Sequence, residues 1–159
     1  TIGRYLSPRS VTWMALYKDG ELIVAQTRER IYWEYPSKTL TGITGITGAA
    51  KTIKDPIVDK IALESVTAID DNPNGIFSVD MTYDGNGVPN PTEINIGKFF
   101  TTHYFFARAG LNFPEIYVKL AFDEPVDKLG INPLKPGFVW IRGVDSEPVL
   151  TTVKKVGLD

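Results

Sequence analysis

Cysteine is absent from the sequence, and histidine is almost absent. Without cysteine the protein has no disulfide bonds, no thiolate nucleophile and no cysteine-ligated zinc, so its core must stabilise the fold alone. The only histidine among the 159 residues is His103. Because one histidine cannot build a multi-histidine metal centre, that class of site is also excluded.

A strong net charge and long apolar runs are missing too. The formal net charge is −2, with lysine and arginine scattered along the chain, whereas a nucleic-acid-binding protein needs a basic stripe to neutralise phosphates. No apolar segment approaches the length of a membrane span, and no signal-peptide pattern opens the sequence. We therefore expect no nucleic-acid partner and no insertion into a membrane.

What the sequence does contain is enough apolar material for a core, divided by turn residues. Apolar residues make up 43% and charged residues 23%, both ordinary for a globular protein. The 14 glycines and 11 prolines lie mostly between apolar segments. No shift in composition divides the chain, so we expect a single domain over residues 1–159.

Alternating apolar and polar residues predict several strands. Residues 11–18 and 21–28 alternate on either side of Asp19-Gly20, a pair that favours the tight turn of a β-hairpin. Alternation or a compact apolar run predicts further strands over residues 29–35, 76–83, 92–97, 138–142 and 149–156. Short strands with turns at close intervals are typical of a β-sandwich or a β-barrel.

The densest apolar and aromatic segment is residues 98–122. It is rich in β-forming residues and is broken at Ala109-Gly110 and at Phe113-Pro114. This pattern predicts two core strands, with Phe105 inside the core.

Residues 55–68 fit either a helix or a strand. Asp55-Pro56 is able to cap and start a helix, whereas the following apolar residues also alternate as in a strand. The concentrated turn residues at 70–75, followed by the strand over 76–83, favour a hairpin from about residue 60 to residue 83.

The resulting fold prediction is all-β. We expect a single-domain β-sandwich or β-barrel of about 9–10 mostly antiparallel strands. Residues 1–10 are expected to form an extended N-terminal arm. Residues 36–56, rich in glycine and threonine, and residues 123–137, rich in proline and glycine, are expected to be long loops.

One short motif resembles half of a calcium-binding loop. Asp70, Asn72 and Asn74 alternate and are followed by Gly75, which suits a loop that curls around a hard cation. The bidentate glutamate expected at the twelfth position is replaced by Met81. The pattern therefore favours an ordinary turn over a metal site, and calcium is the only cofactor that the sequence suggests.

No catalytic set stands out. His103 is predicted to lie in an aromatic strand, and no Gly-x-Ser-x-Gly elbow presents a serine to it, which favours a structural histidine. Glu64 and Asp80 would face each other in the hairpin over 60–83, but nothing distinguishes them from solvated carboxylates. The sequence thus predicts no catalytic residue and no enzymatic activity.

Two groups of residues are candidates for binding through a surface. Tyrosines on the face opposite the core would be able to stack on sugars or fill a subunit interface; they are Tyr32, Tyr104 and Tyr117. Residues of the N-terminal arm and of the Gly/Thr-rich loop would serve as interface anchors; they are Thr1, Ile2, Tyr5, Leu6, Ile43 and Ile46.

Three hypotheses for function follow from these observations. The favoured one is a non-enzymatic assembly subunit of a virion (a phage tail, decoration or head-completion component) or of a comparable surface assembly. Such a subunit would associate with itself or with other structural subunits, and a virion or an extracellular surface would be its location. The second is a carbohydrate- or ligand-binding β-sandwich module assisted by calcium. The third is a small hydrolase. Fold class alone does not decide among them.

Overall fold

The computed structural model describes residues 9–100, 102–143 and 146–158. In these residues the strands are β1 (Ser10–Lys18), β2 (Glu21–Trp33), β3 (Thr47–Ile53), β4 (Gly75–Tyr83), β5 (Pro89–Ile96), β6 (Gly130–Ile131), β7 (Phe138–Ile141) and β8 (Val149–Thr152). The helices are α1 (Pro56–Ile69), α2 (His103–Arg108), α3 (Phe113–Ala121) and α4 (Val153–Val156), and one 3-10 turn spans Pro36–Lys38.

The hairpin of β1 and β2 is confirmed. Asp19 and Gly20 both have positive φ, at 50° and 83°, as a type I′ turn requires. The two strands pair antiparallel from Lys18 and Glu21 to Val11 and Glu29, with one bulge between Leu16 and Tyr17. Local turn chemistry and strand alternation therefore determine this part of the fold.

All eight strands of the described residues belong to one open sheet. Its order is β5-β4-β1-β2-β3-β7-β8, and β6 pairs with the beginning of β2. Every pairing is antiparallel except that of β6 with β2. The prediction of a β-rich fold with mostly antiparallel strands is therefore confirmed. The sandwich or barrel is not found, because helices rather than a second sheet cover the faces.

Helix α1 replaces the first strand of the hairpin predicted over 60–83. The Asp55 side chain accepts hydrogen bonds from the backbone N–H groups of Ile57 and Val58, and Pro56 occupies the first turn. The buried positions recur every four residues; they are Val58, Ala62 and Val66. Only the second strand of the predicted hairpin exists, as β4. The helix-capping signal of Asp55-Pro56 therefore predicted the structure of this segment correctly, whereas the strand-like alternation did not.

Replacing Asp55 tests whether its side chain stabilises the beginning of α1. We expect Asp55→Ala to lower the free energy of unfolding by about 1–2 kcal/mol, because two backbone N–H groups lose their acceptor. The Asp55 carboxylate also accepts a hydrogen bond from the Tyr83 hydroxyl at 3.2 Å. Urea unfolding measures the loss. Asp55→Asn should recover most of it, and Asp71→Ala, in the exposed turn after α1, should have almost no effect; equal losses for Asp55→Ala and Asp71→Ala would contradict the cap.

Helices α2 and α3 lie within residues 98–122, and the prediction of two core strands there is wrong. Helix α3 begins at Phe113 after Asn112, whose side chain accepts from the N–H of Glu115, and Pro114 lies in the first turn. Phe105 and Phe106 of α2 are fully buried, as is Phe113. The aromatic residues of these two helices form part of the core, so their β propensity did not decide the structure. None of the helices in the described ranges is long and apolar enough to cross a bilayer.

The remaining predicted segments differ in detail. The segment 36–56 contains the 3-10 turn and, from Thr47, strand β3. The segment 123–137 contains only the two-residue β6. The last predicted strand stops at Thr152, after which α4 makes one turn. Of the predicted arm 1–10, residues 1–8 lie outside the described residues, and Ser10 already belongs to β1.

Helices on both faces give the sheet two cores. Helices α2 and α3 pack on one face, where Phe105, Phe106 and Phe113 meet Met14 and Leu16 of β1. Helix α1 packs on the other face, against alternate residues of β1 and β4. Strand β1 is consequently buried on both sides along nearly its whole length. The face of the sheet that α2 and α3 cover becomes polar towards the start of β1, where Thr12 pairs with Asp80.

Candidate functional site

A row of polar side chains crosses four adjacent strands at the polar end of this face. Pairing places Glu93 of β5 opposite Asp80 of β4, Asp80 opposite Thr12 of β1, and Thr12 opposite Arg28 of β2. Directly opposed residues of antiparallel strands present their side chains to the same face. The sheet therefore gathers two carboxylates and a guanidinium that are far apart in sequence.

These residues line a pocket of about 250 Å³. Its charged side chains come from β2, β4, β5 and the segment after β5; they are Arg28, Arg30, Asp80, Glu93 and Lys98. Its neutral lining consists of Gly45, Thr47, Ser78, Asn95, Phe99 and Phe100. The pocket combines a few convergent charged groups with aromatic walls, which is the usual composition of a small-molecule site.

The β4–β5 end of the pocket is acidic. Asp80 and Glu93 lie opposite each other, and the register shifts directly after Asp80. The shift leaves Thr92 as an extra residue, and such bulges redirect side chains next to functional sites. The Thr12 hydroxyl donates to Asp80 at 2.6 Å. Two directly opposed carboxylates repel each other unless a cation lies between them.

The donor set at this end fits a divalent cation bound together with a ligand. Asp80, Glu93 and Asn95 offer carboxylate and amide oxygens, which Mg²⁺ prefers. The described ranges contain no group of three or more histidine, cysteine, aspartate or glutamate residues able to hold a metal by themselves. Phosphate oxygens and water would have to complete the coordination, as they do where Mg²⁺ is held by one or two carboxylates.

The opposite end of the pocket is basic and includes a buried arginine. Arg28 is only 3% exposed, and its Nε has no hydrogen-bond partner. Burial lowers the pKa of Arg28 to about 9, and the nearby Arg30 acts in the same direction, so the side chain remains charged at neutral pH. Within the described part of the chain neither arginine forms an ion pair with a carboxylate. A buried charge without a partner is costly, so this end of the pocket is suited to an anion.

A larger cavity of about 580 Å³ lies at the side of α1, but it is wide open; its charged lining residues are Lys54, Asp59, Lys60 and Glu64. Its half-buried carboxylate is Asp59, which accepts hydrogen bonds from the Asn132 amide and from the Thr27 hydroxyl. Burial raises the pKa of Asp59, and these hydrogen bonds oppose that rise. The buried carboxylate of this cavity is thus satisfied by hydrogen bonds, whereas the buried guanidinium of the smaller pocket has no carboxylate partner among the ion pairs of the described residues.

The candidate calcium residues lie in the turn between α1 and β4. Asp70 accepts a hydrogen bond from the backbone N–H of Asn72 at 3.0 Å. The amide of Asn74 donates to Asp19 in the β1–β2 turn at 3.2 Å. The Asn74 side chain therefore connects this turn to the β1–β2 turn, and none of the three residues lines the pocket described above. The calcium assignment stays a prediction.

The candidate stacking tyrosines are exposed but separate. Tyr104 of α2 contacts Trp140 edge-on at 5.7 Å, and Tyr117 of α3 contacts Phe99 at 5.9 Å. Tyr32, on β2, lies against Gly48. No ring contact joins two of these three tyrosines within the ranges that the structure describes.

Of the interface candidates, Thr1, Ile2, Tyr5 and Leu6 lie outside the described residues. Ile43 and Ile46 are exposed in the loop before β3. His103 is not in a strand: it begins α2, and its Nδ1 lies 3.0 Å from the carbonyl oxygen of Phe100. Glu64 does not face Asp80, because Glu64 is on α1, where it lies 3.8 Å from Lys60.

The fold of this chain occurs within several larger proteins of known structure. N5-carboxyaminoimidazole synthetase from Staphylococcus aureus, complexed with ADP, superposes with a TM-score of 0.61 at 16% identity, over 87% of this chain and 36% of that chain. Carboxyaminoimidazole ribonucleotide synthase from Aspergillus clavatus, complexed with ATP, gives 0.57 at 15% identity, over 87% and 35%. An ATP-grasp superfamily protein from Archaeoglobus fulgidus gives 0.53 at 18% identity, over 94% and 44%.

The likeness is one of fold. This chain spans between about a third and a half of the length of those three proteins, and folds host many functions. The sequence itself matches no protein-family model and no curated protein.

These structures correct the functional predictions. A virion or phage assembly subunit is wrong, because the fold is shared with synthetases and with an ATP-grasp protein. The prediction of no enzymatic activity is overturned by the same finding, and neither the carbohydrate-binding module nor the small hydrolase gains support from it. The expectation of no cofactor except calcium also loses its basis, because two of the similar structures hold ADP or ATP.

Proposed function

We propose that this chain binds the phosphates of an adenine nucleotide together with a divalent cation, as part of an ATP-dependent synthetase. The observation that carries the proposal is the pocket on the polar end of the sheet. There two opposed carboxylates, Asp80 and Glu93, lie on the same face as Arg28, and Lys98 also lines the cavity. The complexes of two similar structures with ADP and ATP support the choice of nucleotide.

Each group has a distinct role in this proposal. Asp80, Glu93 and Asn95 would hold Mg²⁺ at the acidic end. A divalent cation held there would supply positive charge that offsets the charge of the phosphates. Lys98 and Arg28 would contact the same phosphates as positive charges, and the guanidinium of Arg28 offers planar, directional donors that suit a phosphate. The phosphates thereby give Arg28 the anion that the described residues do not supply.

Ligand-dependent thermal unfolding tests the proposal. With Mg²⁺ present, ATP or ADP at about ten times its dissociation constant should raise the midpoint of unfolding by roughly 3–5 °C. AMP should raise it far less at the same concentration, because it lacks the phosphates that bridge the cation. EDTA should remove most of the ATP effect.

Two results would contradict the proposal. One is an unchanged midpoint with ATP at millimolar concentration and excess Mg²⁺. The other is an equal response to ATP, ADP and AMP that does not depend on Mg²⁺. Isothermal titration calorimetry should give one nucleotide per chain.

A further inference from the structure

The two edges of the sheet differ in how they are protected. Strand β5 forms one edge, where Pro89 and Pro91 have no backbone N–H and Thr92 makes a bulge. Prolines and bulges are common means by which proteins keep an exposed edge from pairing with another chain. Strand β8 forms the other edge, and its sequence Val-Leu-Thr-Thr has no proline and no charged residue. Among the strands of the described residues, none pairs with the outer side of β8.

The register of β7 and β8 shows which backbone groups point outward. The Val153 N–H donates to the Gly137 carbonyl oxygen at 3.0 Å, at the end of the antiparallel pairing. In such a pair, residues that bond the neighbouring strand alternate with residues whose N–H and C=O groups point away from it. Because Val153 bonds towards β7, Leu150 and Thr152 present their N–H and C=O groups to the open edge.

We propose that a second copy of this chain pairs with β8, antiparallel about a two-fold axis at Thr151, and joins the two sheets into one. Leu150 of each copy would exchange hydrogen bonds with Thr152 of the other, so that every outward backbone group of these residues is satisfied. A shift of this register towards Pro148 would lose a donor, because proline has no N–H. The inference does not depend on the nucleotide site, which is formed by other strands.

The charges at the two ends of β8 favour an antiparallel second copy. Glu147 lies just before the strand, Lys154 and Lys155 lie just after it, and all three are exposed. None of them forms an ion pair with another residue of the ranges 9–100, 102–143 and 146–158. Antiparallel pairing about Thr151 would bring Glu147 of each copy next to the lysines of the other copy. A parallel pair would instead bring like charges together at both ends.

The side chains of β8 are also compatible with pairing to themselves. Val149 is 53% exposed and would lie opposite Val153 of the second copy. Leu150, which packs against the core under α2 and α3, would lie opposite Thr152 and extend that core across the axis. The two Thr151 side chains would meet at the axis, and directly opposed threonines stabilise an antiparallel pair.

Sedimentation equilibrium on the unaltered chain tests whether the dimer exists. Between low-micromolar concentration and about 200 μM, the average mass should rise from that of one chain towards that of two, because a short edge-to-edge interface is weak. The mass of a single chain over the whole range would refute the proposal.

Substitution at the axis locates the interface. Thr151→Lys should raise the dissociation constant of the dimer about five- to tenfold, because like charges would then lie directly opposite each other. Thr151→Glu should have the same effect, and a mixture of the two variants should associate again, since each lysine would face a glutamate. Lysine on an edge strand is well tolerated in a monomer, and thermal unfolding confirms that both variants are folded.

Thr67→Lys, on the exposed side of α1, is the matched control and should associate like the unaltered chain. A dissociation constant for Thr151→Lys within twofold of the original would mean that the copies meet elsewhere, and it would overturn the β8 interface. A mixture of the lysine and glutamate variants that does not associate would overturn it as well.

Charge reversal tests the direction of the pairing. Glu147→Lys should weaken the dimer about two- to fivefold, because an attraction across the axis becomes a repulsion on both sides. The double variant Glu147→Lys/Lys155→Glu should restore most of the loss. A double variant weaker than Glu147→Lys alone would contradict the antiparallel arrangement.

Discussion

Asp80→Asn should weaken the binding of Mg²⁺–ATP about a hundredfold or more. The substitution removes one of the two carboxylates that face each other across β4 and β5. It keeps the size of the side chain and an oxygen able to accept the Thr12 hydroxyl, so the fold should survive. Isothermal titration calorimetry at fixed Mg²⁺ measures the change, and thermal unfolding confirms that the variant is folded.

Asp71→Asn provides the matched control for this prediction. Asp71 is exposed in the turn after α1, away from the pocket, and its replacement makes the same change in net charge. It should bind Mg²⁺–ATP like the unaltered protein. Raising the Mg²⁺ concentration should recover part of the affinity of Asp80→Asn, because the remaining ligands still bind the cation weakly. A dissociation constant within twofold of the original would exclude Asp80 from the site.

Phe105→Ala should lower the free energy of unfolding by about 3–5 kcal/mol. The Phe105 ring is fully buried. It stacks on Trp140 of β7 with ring centres 5.9 Å apart and contacts Phe106 at 5.4 Å. Alanine would leave a cavity between α2 and the sheet that the surrounding strands are unable to fill. Urea unfolding at constant pH measures the difference.

Phe122→Ala is the control for the loss of a phenylalanine ring. Phe122 follows α3 and is 75% exposed, so its removal should change the free energy of unfolding by less than about 0.5 kcal/mol. A similar small loss for Phe105→Ala would mean that α2 does not pack on the sheet as the structure shows. Phe113, the buried first residue of α3, would then be the next position to test.

Sequence patterns were sufficient where the structure depends on local chemistry. The alternation around Asp19-Gly20 predicts the β1–β2 hairpin, and the alternation over 76–83 predicts β4. The burial of Phe105 was predicted as well, although its element was not. Residues 98–122 satisfy both a strand and a helix by composition, and the helix is selected by packing against the sheet.

The pocket was harder to predict because the residues that form it are brought together by strand order. Arg28, Asp80 and Glu93 lie on three strands, and β1 has to pair with both β2 and β4 before they share a face. The extra Thr92 in β5 adds a second obstacle. In a regular β4–β5 pair without the bulge, Thr92 would lie opposite Asp80. Glu93 would then point to the opposite face of the sheet, away from the pocket. The usable signal was the Glu93-Ile94-Asn95 sequence in a strand next to a strand that carries an aspartate.

Asn132 has a consequence for the chemical ageing of the protein. Its amide accepts from Thr27 N and Gln26 Nε2 and donates to both oxygens of Asp59, from a left-handed backbone conformation with φ of 52°. Deamidation there would set two carboxylates against each other in the interior. The next residue, Pro133, has no backbone N–H to attack the side-chain amide. The route by which asparagine usually hydrolyses is therefore blocked at this buried position.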